Sequence, residues 1–159
     1  MRSTRLAQLT VLFILVILLL PGCQTNNKPL TPEAERDNTK LSELSPSERR
    51  ILTGRLSNSA AEVKGVRRAI VVLSSDNKNE LVALVGLTLN QGSASQAQSI
   101  KNTVTKKVKS VDRRVTQVLV TTDSNLVRRI GDIAAGIIEG KPIKSYARDV
   151  KELNRMLQK

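Results

Sequence analysis

Three short runs rich in Val, Ile and Leu, at residues 66–74, 81–89 and 115–122, lie among four segments of helical period. That order restricts the fold more than any other feature of the chain. Three strands are too few to make a second sheet, so helices must cover the one they form. Ser45-Pro46-Ser47-Glu48 reads as a capping box with Pro at the first helical position. Leu52, Leu56, Ala60 and Val63 follow at helical spacing, up to a stop at Gly65. The first two strand runs are joined by Asp76-Asn77-Lys78-Asn79 and read as a hairpin. In the second run Leu81, Ala83, Val85, Leu87 and Leu89 share one face, with Val82 and Leu84 opposite. After Asn90-Gln91-Gly92, Ser93-Ala94-Ser95-Gln96 reads as a second capping box, opening a helix with Ala97, Ile100, Val104, Val108 and Val111 on one stripe. The third strand leads to Asp123, which caps a helix bearing Leu126, Ile130, Ile133, Ala134 and Ile137 and closed by Gly140 and Pro142. A last helix over about 145–157 presents Val150, Leu153 and Leu157. The order α-β-β-α-β-α-α predicts a compact two-layer α+β domain over 45–159, with helices packed on one face of a three-stranded sheet.

The N-terminus has a different character. Met1-Arg2-Ser3-Thr4-Arg5 precedes an uninterrupted apolar run from Val11 to Leu20, the form of a secretory n-region and h-region. About ten residues fall short of a membrane span, which needs roughly 20. The run ends at Leu20-Pro21-Gly22-Cys23, and Cys23 is the sole cysteine of the chain. A small residue before a cysteine, just after an h-region, resembles the lipobox of bacterial lipoproteins. The resemblance implies removal of a signal peptide, residues 1–22, and attachment of a diacylglyceryl group to Cys23. A thiolate is the side-chain nucleophile that forms such a thioether. A plain signal peptide or an uncleaved anchor, with an incidental cysteine, is the alternative. Two acyl chains, at about 0.8 kcal/mol per buried CH₂, hold a protein on a bilayer where a single myristoyl chain binds only marginally. Residues 23–44 are polar, with Pro29, Pro32 and no sustained period, and read as a lipidated flexible tether reaching on the order of 25 Å.

Composition removes several functions. The chain has no His and one Cys, so it lacks the usual ligands for zinc, copper or haem, and no cofactor is expected. The same shortage removes Ser-His and Cys-His couples, so an enzyme is not expected. One Tyr, one Phe and no Trp leave nothing to stack nucleic-acid bases, and no nucleic-acid partner is expected. Lys and Arg number 26 against 14 Asp and Glu, and the charge stays near +10 once residues 1–22 are removed. The candidate anion-facing patch is Lys101, Lys106, Lys107, Lys109, Arg113 and Arg114. The bland reading of these and the other basic pairs is ordinary solvated surface. On an exported domain they meet anionic phospholipid, teichoic acid and peptidoglycan before nucleic acid. Asp123 reads as a helix cap, since no second carboxylate supports acid–base work beside it. Gly136 and Gly140 have G-x-x-x-G spacing on an amphipathic segment, where termination explains Gly140 and close packing Gly136; Tyr146 reads as a partly buried anchor.

Several of these residues together resemble one family. The Val63 to Val66 turn, Ala69-Ile70-Val71-Val72, and Val85-Gly86-Leu87 all contribute. The most specific stretch is Val118-Leu119-Val120-Thr121-Thr122-Asp123-Ser124-Asn125-Leu126, followed by Arg129-Ile130. With the lipobox they look like the YhcN/YlaJ family of sporulation lipoproteins, over nearly the whole chain after the signal. The resemblance implies a lipid-anchored protein on the extracytoplasmic face of the cell or inner spore membrane. It also implies a part in germination or outgrowth, with partners among the cortex-lytic machinery or other germination proteins, and no catalytic residue. The element order further resembles ring-building and BON-type modules, which act in oligomerisation or at membrane surfaces, but fold analogy does not transfer function. Two expectations follow. One is a non-catalytic scaffold for germination proteins, and the other a BON-like module that binds anionic lipid or cell wall outside sporulation. A small hydrolase is disfavoured by the missing His and paired carboxylates.

Overall fold

The structure, a computed structural model, describes residues 41–76 and 78–158. Cys23 and the signal and tether expected around it lie outside the described residues. Four α-helices and three strands alternate as expected: α1 Pro46–Ala61, β1 Val66–Ser75, β2 Leu81–Leu89, α2 Ala97–Val111, β3 Val115–Thr121, α3 Ser124–Ile138 and α4 Ala147–Leu157.

β1 and β2 form an antiparallel hairpin, with Val71 opposite Val85. Asp76 closes it, its Oδ1 accepting from the backbone N–H of Lys78 and Glu80. β3 pairs with β2 in parallel, Val85 opposite Val120, so the sheet order is β1-β2-β3. A parallel neighbour demands a crossover, and α2 supplies it. β2 is therefore the central strand, and it is buried from Leu81 through Leu87.

The α+β class and the three-stranded sheet are as expected, but the helices do not share one face. Val71, Leu73, Ala83 and Val85 pack with Leu52, Leu56 and Ala60 of α1 and with Ile100, Val104 and Val108 of α2. The alternate residues Val72, Val82 and Leu84 pack with Ile130 and Ile133 of α3 and with Val150 and Leu153 of α4. Successive strand residues point to opposite sides, so two helices cover each face of the sheet. The physical cause is the strand itself. With both faces of β2 apolar, one open side would leave Val82 and Leu84 in water, at about 25 cal/mol for each Å² of apolar surface.

Two local expectations also change. The tether does not extend to residue 44, because Leu41 and Leu44 are buried with the α1 side of the core around a short 3-10 turn, Leu41–Glu43. The second capping box is absent: Ser93 precedes a 3-10 turn, Ala94–Gln96, and makes no side-chain cap. Its ψ of 3° is far from the extended backbone that aims a capping hydroxyl at the third amide. The first box is present, Ser45 Oγ accepting from Glu48 N and Glu48 Oε2 from Ser45 N. Gly86 lets α3 lie close on the sheet, since a Cβ there would stand 3.3 Å from Val127 Cα.

Candidate functional site

The residues nominated from sequence fall on α2 and the turn behind it. Val104 and Val108 seat α2 on the sheet, which sends Lys106 and Lys109 outward, both exposed. Lys107 lies on the flank toward α1 and its Nζ is 2.7 Å from Glu62 Oε2. Arg113 is exposed, whereas Arg114 is occupied with Asp112. Its Nε donates to Oδ1 at 2.9 Å and its Nη2 to Oδ2 at 2.7 Å. That hydrogen bond holds the Asp112 carboxyl below the usual aspartate range, with burial opposing it. Lys101 is half-buried. The structure thus places four of the six on α2 and two in the turn after it, and leaves Lys106, Lys109 and Arg113 as the exposed members without an ion pair among the described residues.

A second basic surface lies on the other side of the sheet. Lys144, Arg148, Lys151 and Arg155 recur at spacings of four, three and four, one side of the last helix and the turn leading into it. All four are exposed. The opposite edge of α4 carries acid: Arg129 Nη2 of α3 lies 2.9 Å from Glu152 Oε2 and 3.8 Å from Asp149 Oδ1. The Arg129 hydrogen bond lowers the Glu152 carboxyl from its ordinary value and raises the Arg129 guanidinium. α4 is sorted into an apolar seam, an acidic edge held by Arg129, and a basic edge facing outward.

The basic edge forms one wall of a cleft of about 950 Å³. The other walls are Ser74, Ser75 and Asp76 at the end of β1, Leu41, and Arg49 of α1. Asn154 sits in this wall with Nδ2 3.5 Å from Ser74 Oγ, and its buried Oδ1 has no hydrogen-bond partner among the described residues. Sequence reading by adjacent basic pairs missed this surface. Its signal is a helical period of single cations.

A second cleft, about 880 Å³, opens between the end of β2 and α3, with Arg68, Arg128, Thr122 and Asp132 in its walls. Asp123, beside it, caps α3 as expected, its Oδ1 accepting from Asn125 N and Leu126 N at 3.0 Å each. Thr121 Oγ1 in turn accepts from Asp123 N. Among the described residues no cluster of three His, Cys, Asp or Glu could hold a metal ion, and no helix is long and apolar enough to cross a membrane. Gly136 and Tyr146 also explain each other, since a Cβ on Gly136 would overlap the Tyr146 hydroxyl.

Fold and surface define a small, strongly basic α+β domain. The chain belongs to the sporulation lipoprotein family YhcN/YlaJ, whose sequence model matches residues 23–158. Comparison with curated protein sequences finds no match. Among solved structures the chain is similar to the copper form of MamM CTD, at 22% identity and TM-score 0.42, covering 47% of this chain and 84% of that one. A manganese form of a MamM CTD variant is 22% identical at TM-score 0.41, covering 46% and 95%. A zinc form of another variant is 21% identical at TM-score 0.42, covering 47% and 84%.

Proposed function

We propose that this protein is a non-catalytic, lipid-anchored component of the spore that acts in germination or outgrowth by positioning partner proteins at the membrane. The observation that carries the reading is the family match, which begins at Cys23, the residue that the lipobox nominates for the lipid. The anchor then sits on the extracytoplasmic face of the cell or inner spore membrane. The absence of His from the whole chain and the capping role of Asp123 support a binding protein over an enzyme. Lys106, Lys109 and Arg113 present a basic surface to an acidic partner, either a cortex-lytic or other germination protein or the anionic peptidoglycan of the cortex.

The test is timing together with capture. Transcription confined to the developing spore, a germination delay on deletion, and cross-linking from spore membranes to germination proteins are the expected results. Expression in growing cells with normal germination of the deletion strain would instead favour the BON-like role at lipid or wall outside sporulation.

A further inference from the structure

The domain carries 21 basic and 11 acidic residues from position 41 onward, whereas residues 23–40 are electrically neutral. Apart from Arg2 and Arg5, all the excess charge is therefore from position 41 onward, and the structure shows basic surface on helices of both sheet faces. Leu41, the first described residue, is buried with the α1 side of the core, but the cleft it lines at the end of β1 is bordered by only one of these surfaces. That surface is Lys144, Arg148, Lys151 and Arg155. Arg49 stands in the facing wall. The five cations of those walls outnumber the two carboxylates there, Asp76 and Glu152, and Glu152 is already paired with Arg129 of α3.

We infer that the basic edge of α4, with the cleft it borders, is the surface the domain lays on an anionic phospholipid bilayer. This rests on the anchored reading above. Seventeen residues separate Cys23 from Leu41. At the coil dimension expected of their composition they span roughly 20–25 Å. That is less than the roughly 35 Å across a domain of about 120 residues. The face around Leu41 is then the one held nearest the headgroups, where exposed cations each contribute about 1 kcal/mol, a factor of about five in affinity. The α2 cations Lys106 and Lys109 line no part of that cleft, which leaves them for a partner. The domain is oriented as well as tethered.

The experiment is a lysine-acetylation footprint of the full lipidated chain on vesicles of phosphatidylglycerol and phosphatidylcholine, against phosphatidylcholine alone. Lys144 and Lys151 are expected to be protected on the anionic vesicles and to regain reactivity in about 1 M salt, while Lys106 and Lys109 stay reactive throughout. A second arm replaces Lys144, Arg148, Lys151 and Arg155 by Ala in steps. The preference for anionic over neutral vesicles is expected to fall about fivefold with each cation removed. Equal protection on both sides of the domain, protection that ignores the anionic lipid, or failure to associate with anionic vesicles overturns the inference. Failure of the anchor reads out separately, as loss of flotation with purely neutral vesicles.

Discussion

At the scale of single residues, the contacts that matter are close approaches and local charge pairs. Gly136 is buried under Tyr146, the only tyrosine in the chain, and a methyl group there has no room unless the ring moves. Gly136→Ala is expected to destabilise the domain by about 1–3 kcal/mol in chemical denaturation, as overpacking does. In a Tyr146→Phe background the penalty shrinks, because the overlapping hydroxyl is gone; equal penalties in both backgrounds contradict the contact. Asp112 makes a pH prediction. Its folded-state carboxyl is held below the ordinary aspartate value of about 3.9 by Arg114. A depressed folded value stabilises the protein above the unfolded value and is lost as pH falls through the folded one. Glu48, lowered first by its Ser45 hydrogen bond, and Glu152, lowered by Arg129, act in the same direction. Stability should thus decline below about pH 4, and Asp112→Asn should flatten that acid limb relative to the parent. A variant whose stability changes with pH as steeply as the parent's contradicts this role for the pair.

At the scale of elements, α2 and α4 separate two kinds of basic helix. Reversing Lys106, Lys107 and Lys109 to Glu should leave the fold in place. The three lie off the Ile100-Val104-Val108 seam, and the one ion pair lost, Lys107 with Glu62, is worth about 0–1 kcal/mol at a surface. Circular dichroism should show the parent's helix content and a cooperative melt lowered by no more than several degrees; a non-cooperative melt would show that α2's charge is structural. Much of the element layout was legible beforehand, because hydrophobic period and turn residues are local. The first capping box, the Asp123 cap and the hairpin at Asp76 could be read directly from four or five adjacent residues. The covering of both sheet faces was present in the sequence too, as a β2 apolar at odd and even positions alike. Which helix lies on which side is not local, since it depends on the crossover through α2 and on side-chain packing. The Ser93 box failed because sequence spacing does not specify ψ. The α4 stripe was missed because its cations are never adjacent in the chain and converge only when wound at 3.6 residues per turn.

At the scale of the whole molecule, a segment that resembles a lipoprotein signal precedes a domain with basic residues on helices of both sheet faces. One basic surface borders the cleft that Leu41 lines, and the other lies on α2. In this account the protein acts by location, so losing the lipid should resemble losing the protein. The most direct measurement is fractionation of spores that carry Cys23→Ala, with germination followed in the same strain. The account predicts that the variant appears in the soluble fraction or as uncleaved precursor, and that its spores germinate as slowly as those lacking the protein. A processed, membrane-bound Cys23→Ala protein whose spores germinate like the parent would contradict it.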